Sequence, residues 1–137
     1  MNTLDVIKDQ LSSNNVILYM KGTPQFPQCG FSARAVEALM SVGKPFAYVN
    51  ILEHPDIRSE LPKFANWPTF PQLWVKGELV GGSDIVLEMA QKGELKPLIE
   101  EALNRKIVLE DVRLTIWPRL GVRLVGVTVQ EDPVFGT

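Results

Sequence analysis

Residues Val16–Met20 are apolar without a break. A run this short and continuous reads as a strand buried on both faces. The loop Lys21–Gln28 follows at once, and then Cys29, the only cysteine in the chain. After it a helical period begins at about Gly30 and runs to Val42. Ala33, Val36, Leu39 and Met40 are expected on its inner face, and Gly43 stops it. Residues 46–51 form a second apolar strand. The order strand–helix–strand favours a right-handed crossover with the two strands parallel.

The remaining elements fit round this unit. Leu4, Ile7 and Leu11 recur at helical spacing before the first strand, with Thr3 as the expected N-cap and Ser12–Asn15 as the stop. Pro55 opens a helix with Ile57 and Leu61 facing inward. Pro62 is expected to shorten or kink it. Residues 72–75 and 78–80 read as a hairpin turning at Lys76-Gly77. A helix carrying Ile85, Leu87, Met89 and Ala90 follows, with Ser83 as its expected N-cap and Gly93 as its stop. Leu95, Leu98, Ile99, Ala102 and Leu103 mark a last amphipathic helix. Beyond about residue 106 the character changes: 107–117 and 121–129 are β-prone. The expected division is a domain over 1–105 and a C-terminal extension of unknown role over 106–137.

Composition narrows the function classes. The chain has 137 residues, 45% hydrophobic and 22% charged, with a net charge of -2. That length supports a real core. The charge gives no case for binding nucleic acid or an anionic membrane, so Trp67, Trp74 and Trp117 are read as core or rim residues. A single cysteine cannot form an intrachain disulfide, which fits a reducing compartment. The N-terminus lacks the basic and apolar regions of a leader, and no apolar run reaches membrane-spanning length. A cytoplasmic protein with no membrane segment is expected. His54, the only histidine, is read as a solvated residue at a helix start.

Cys29 is placed for chemistry. It falls on a strand-to-helix turn, where backbone N–H groups and the helix dipole favour thiolate over thiol. Lys21 adds positive charge if the loop folds back. By position alone a small buried hydrophobe and a reactive thiolate both remain open.

Cys29-Gly-Phe-Ser32, preceded by Lys21-Gly-Thr-Pro24, resembles the signature of the monothiol (CGFS-type) glutaredoxins. Trp67-Pro-Thr-Phe-Pro-Gln-Leu-Trp74 and Gly81-Gly-Ser-Asp84 resemble two further motifs of that family, in the same order. The resemblance covers roughly residues 3–104. It implies an α/β thioredoxin-like fold, with a four-stranded mixed sheet and helices on both faces. It also implies that Pro71 follows a cis peptide and sits beside the cysteine.

A dithiol oxidoreductase needs a second thiol to resolve a mixed disulfide, and that position here is Ser32. Cys29 must therefore work with an outside thiol, which the resemblance makes glutathione. Lys21 and Arg58 are cations suited to its glycyl carboxylate. The helix start at Ser83-Asp84 offers N–H groups to the glutamyl carboxylate, and Asp84 can take the ammonium. Phe70 can pair its backbone with the peptide, with Thr69 and Pro71 adjacent. Singly, each reads equally well as a surface charge or a cap; together they match the glutathione positions of the family. Many relatives carry cysteine where this chain has Ser83, so a second-thiol role there is absent.

A [2Fe–2S] cluster commonly takes four thiolates. One chain offers only Cys29, so any cluster must be shared with a dimer partner. The resemblance implies a cluster bridging a homodimer through two Cys29 thiolates and two glutathiones. It implies roles in iron–sulfur cluster assembly, transfer to acceptor proteins and iron homeostasis, with a BolA-like protein as a possible partner. The alternative is a weak glutathione-dependent oxidoreductase that reduces protein–glutathione mixed disulfides through Cys29. A thioredoxin-like adaptor without redox chemistry fits less well, because the glutathione positions are intact.

Overall fold

The structure is a computed structural model that describes residues 2–103 and 123–125. The elements run α1 (Thr3–Ser13), β1 (Val16–Met20), α2 (Gly30–Val42), β2 (Phe46–Asn50), α3 (Pro55–Ala65), β3 (Gln72–Val75), β4 (Glu78–Gly81), α4 (Ser83–Gln91), α5 (Leu95–Leu103) and β5 (Arg123–Val125). The sheet order is β4-β3-β1-β2-β5. β1 and β2 are parallel, with Ile17 opposite Ala47, as the crossover argument required. β3 lies antiparallel on the other side of β1, with Leu18 opposite Leu73. This is the mixed, helix-covered sheet of a thioredoxin-like fold, with a further strand at one edge.

β1 is buried at every position, and it separates two cores. Val16, Leu18 and Met20 pack against α2, α4 and α5. Ile17 and Tyr19 point the other way, onto α1 and α3. Alternation along an extended chain sends neighbouring side chains to opposite faces, so an unbroken apolar run is what a strand between two helical layers needs. Each large aliphatic side chain buried this way contributes about 1.5–3 kcal/mol.

Several local expectations are corrected. Asn2, not Thr3, caps α1: its side chain accepts from the N–H of Asp5, and Thr3 is already helical. Gly82, not Ser83, is the cap of α4, and Ser83 is the first helical residue. Leu4 and Met40 stay largely exposed. In α2 the buried stripe runs through Ala35, Val36, Ala38, Leu39 and Val42. Met40 stands about 100° round the axis from Leu39, and the two alanines let the helix approach the sheet. In α1 the third buried position is Gln10 rather than Leu4; Gln10 accepts from the Tyr19 hydroxyl at 2.8 Å. In α4 the fully buried residue is Val86, which the sequence reading passed over.

Pro62 neither ends nor shortens α3, which continues to Ala65. Its missing N–H deprives a single upstream carbonyl of its helical donor, and the chain stays helical for three residues more. The helix then closes on Asn66, which is left-handed at φ 55. The N–H of Trp67 reaches back to the carbonyl of Pro62 at 3.1 Å, a Schellman closure.

Most of the two β-prone stretches, 107–117 and 121–129, lies outside the described residues. Within them β5 pairs antiparallel with the free side of β2, Val125 opposite Phe46 and Arg123 opposite Tyr48. Among the described residues no helix is long and apolar enough to cross a membrane.

Candidate functional site

The cysteine loop is a tight structure with its own backbone bonds. The carbonyl of Lys21 accepts from the N–H of Gln28 at 2.9 Å, and the N–H of Phe26 donates to Thr23 at 3.0 Å. Gly22 makes this possible. Its φ is +95°, and a Cβ there would lie 2.6 Å from the Phe26 carbonyl oxygen. Asn50, the last residue of β2, holds the loop from below. Its Oδ1 accepts from the N–H of Gly22 at 2.9 Å and from that of Leu52 at 3.0 Å.

Cys29 is the N-cap residue of α2, in extended conformation, with its carbonyl accepting from Ala33 at 3.0 Å. Its side chain makes no cap hydrogen bond as a thiol. Partial burial pushes the thiol up. The N–H groups of Ser32 and Phe31, the Ser32 hydroxyl and the Lys21 charge act the other way and prevail. The Cys29 pKa therefore lies below the ordinary thiol value. These donors belong to the charged form, since a thiolate is the better acceptor. Ser32 is fully buried. Its Oγ accepts from the Lys21 N–H at 3.1 Å, which leaves its proton free to face sulfur.

The opposite wall comes from three places. α3 brings Arg58 and Pro62. The segment 67–71 brings Trp67, Pro68, Thr69, Phe70 and Pro71, with a cis peptide between Phe70 and Pro71. The start of α4 brings Gly82, Ser83, Asp84 and Ile85. Together with Lys21, Cys29 and Phe31 these residues line one cleft of about 650 Å³. All eight residues singled out from the sequence (Lys21, Cys29, Arg58, Thr69, Phe70, Pro71, Ser83 and Asp84) lie on this single surface.

The chemistry of the cleft follows from what each residue presents. Two cations, Lys21 and Arg58, sit on the cysteine side and on α3. The first turn of α4, a nine-residue helix, presents N–H groups that no upstream carbonyl satisfies. Asp84 stands in that same turn. A side chain at position 82 would crowd the cleft: a Cβ there would lie 3.3 Å from the Pro71 carbonyl oxygen. The cleft thus offers positive, negative and N–H-rich ends round one nucleophile. Among the described residues no group of three or more His, Cys, Asp and Glu is placed to hold a metal ion. His54 caps α3 without a side-chain cap bond and does not line the cleft.

Some lining residues were missed. Phe31 and Ile85 are exposed beside the cleft, at 55% and 36%, and belong to no polar pattern. Pro68 was read only as part of a motif, and Trp67 as part of that motif and as a core or rim residue. Asn50 and Gln72, which hold the walls without lining the cleft, were missed as well: Asn50 bonds Gly22, far off in the chain, and the bonds of Gln72, though to near neighbours, depend on its burial.

The model of the family described as Glutaredoxin matches residues 16–80. Glutaredoxin 4 of Haemophilus ducreyi is 66% identical over 105 residues, covering 77% of this chain and 98% of that protein. Glutaredoxin 4 of Escherichia coli K12 is 65% identical over 99 residues, covering 72% of this chain and 86% of that protein. The solution structure of reduced poplar apo GrxS14 is similar, with a TM-score of 0.62 and 46% identity. It spans 73% of this chain and 93% of its own. With Cys29 as its one thiol and a serine three residues further on, at Ser32, the chain belongs to the glutaredoxin family as a monothiol member.

Proposed function

We propose that this glutaredoxin binds glutathione in the Cys29 cleft and carries a [2Fe–2S] cluster between two copies of the chain, for delivery to acceptor proteins. One observation carries this reading: the single thiol, its pKa lowered, shares a cleft with two cations, a helix N-terminus and Asp84. Glutathione has two carboxylates, one ammonium and one thiol, so every charged group of the ligand has a counterpart. Lys21 and Arg58 suit the glycyl carboxylate. The α4 N-terminus suits the glutamyl carboxylate, and Asp84 its ammonium. Phe70 offers backbone to the ligand's peptide, between Thr69 and Pro71. So placed, the glutathione thiol lies beside Cys29.

The donor count sets the stoichiometry. A cluster that takes four thiolates finds one on this chain and one on the bound glutathione. A second copy supplies the other two, so a homodimer forms only with cargo and exchanges half its ligands freely. A BolA-like protein in place of one copy, and a cytoplasmic setting, belong to the same reading.

The test is anaerobic reconstitution with iron, sulfide and glutathione. The expected result is one [2Fe–2S] cluster per two chains, with its visible absorption, on a sedimenting dimer. Cys29→Ser, or removal of glutathione, leaves half the thiolates and yields an uncoloured monomer. Absence of any cluster from the wild type, with rapid mixed-disulfide turnover by the apo form, overturns the carrier reading.

The lowered Cys29 pKa favours a second activity. Thiolate Cys29 attacks the glutathione sulfur of a protein–glutathione mixed disulfide. The Cys29–glutathione disulfide forms and the protein leaves as thiolate. A second glutathione thiolate then attacks that disulfide, releasing oxidised glutathione and regenerating Cys29. No step needs a second protein thiol.

A further inference from the structure

Gln72 is wholly buried, an unusual place for an amide at the first residue of a strand. Its side chain has every hydrogen-bonding group engaged. Nε2 donates to the carbonyl of Trp67 at 3.1 Å and to that of Thr69 at 3.2 Å. Oε1 accepts from the indole N–H of Trp74 at 3.1 Å. The indole can only donate and the carbonyls can only accept. The amide orientation is therefore dictated by its partners: oxygen toward Trp74, nitrogen toward the 67–69 backbone.

The segment so held is one wall of the cleft. Trp67 and Thr69 flank Pro68, and Phe70 and Pro71 follow directly. The indole N–H of Trp67 is buried and has no hydrogen-bond partner among the described residues. Its ring is therefore placed through its backbone, by the carbonyl bond from Gln72 and the N–H bond to Pro62. That ring lies against the start of α4: a Cβ on Gly82 would be 3.7 Å from its nitrogen. One amide in the core thus ties the 67–71 wall to β3 and, through Trp67, sets its spacing from the α4 N-terminus.

We propose that Gln72 is the positioning residue of the ligand cleft, holding the Trp67–Pro71 wall at the spacing that the ligand's peptide and glutamyl end require. This rests on the reading of the cleft as a glutathione site. Gln72 itself touches no ligand. It acts by keeping the Thr69 and Trp67 carbonyls turned inward, so that the Phe70 backbone stays presented to the cleft. Cys29 takes its reactivity from α2 and Lys21, on the opposite wall. Changing Gln72 should therefore alter ligand affinity without altering the thiol.

The experiment pairs two readouts on wild type, Gln72→Met and Gln72→Glu. Calorimetry with reduced glutathione measures affinity, and the rate of Cys29 alkylation by iodoacetamide measures thiol reactivity. Gln72→Met keeps the volume and removes the hydrogen bonds. Its affinity should fall about tenfold with the alkylation rate unchanged. Gln72→Glu opposes a carboxylate to two carbonyls, and only its protonated form can donate. Its affinity, relative to wild type, should recover as the pH is lowered from about 8 to about 5. Equal affinity of Gln72→Met and wild type overturns the proposal. So does a parallel loss of affinity and alkylation rate, which marks a general structural role. Should Gln72→Met not fold, amide exchange in the wild type decides: rapid exchange of the Gln72 side-chain protons overturns the clamp. Failure of wild type to bind glutathione, with those protons protected, instead removes the glutathione reading and leaves the clamp on the wall for another ligand.

Discussion

The hydroxyl of Ser32 accepts a hydrogen bond from the backbone N–H of Lys21 at 3.1 Å, tying the end of β1 to the first turn of α2. The residue that replaces a second thiol is thus also a strut of the loop that carries the first. Its proton and its N–H both favour the Cys29 thiolate.

Ser32→Ala should therefore raise the Cys29 pKa. Alkylation rate climbs as pH rises through that pKa, because only thiolate reacts. In the wild type the climb is displaced downward from the ordinary thiol value, and in Ser32→Ala it moves back upward. The Lys21 N–H also loses its partner, at a cost of about 1–3 kcal/mol to the loop. A pH profile of alkylation checks the first point; an unmoved midpoint removes Ser32 from thiol activation. Ser32→Cys instead restores a dithiol pair and should raise turnover on glutathione mixed disulfides.

Lys21 and Arg58 should separate in two assays. Either one changed to Ala is expected to weaken glutathione binding by about 1–3 kcal/mol, the scale for a hydrogen bond to a charged group. Only Lys21→Ala should also raise the Cys29 pKa, since Lys21 and not Arg58 contributes to its depression. Calorimetry and the alkylation profile, run together on both variants, test the distinction. Unchanged affinity in both would take them out of the site.

Gly22→Ala should cost about 1–3 kcal/mol in stability. The backbone there sits at φ +95°, and the added methyl meets the Phe26 carbonyl oxygen at 2.6 Å. Gly43→Ala is the control. It shares a positive φ of +78° but has open space around it, so it should cost less. Denaturant melts of the two variants give the comparison; equal losses would mean that the clash is relieved by movement of the loop.

Deletion after Arg105 should leave glutathione binding intact. β5 pairs with Phe46, Ala47 and Tyr48, and none of these lines the cleft. What the deletion exposes is the side of β2 that β5 covers. A bared strand edge invites pairing with another chain, so the truncated protein should self-associate at high concentration. Sedimentation of the truncated chain, with calorimetry alongside, reads both effects. Loss of folded protein would show that the tail completes the core.

Much of the fold was legible because its signals are local. The apolar run at Val16–Met20, the helical period after Cys29 and the Lys76-Gly77 turn each declare an element from a few neighbouring residues. Errors fell where two neighbours could fill one role. Asn2 and Thr3 can both cap, and Met40 and Leu39 differ by one position on a helix. Such choices turn on which side chain meets the sheet, and Ala35 and Ala38 decide that by allowing close approach.

By itself the sequence determined the order of the elements and the place of Cys29 at the head of α2. It also supplied the charged and backbone groups that line one cleft. Local periodicity, turn chemistry and three motifs suffice for these, because each depends on residues close together in the chain. The tertiary structure alone decided how those groups are held. Asn50 reaches Gly22 and Ser32 reaches Lys21 across intervening stretches of chain, and burial turns the amide of Gln72 onto two nearby carbonyls and the Trp74 indole. It alone set β5 against β2. A buried amide or hydroxyl must find a partner wherever the fold brings one, and no spacing in the chain announces which partner that is.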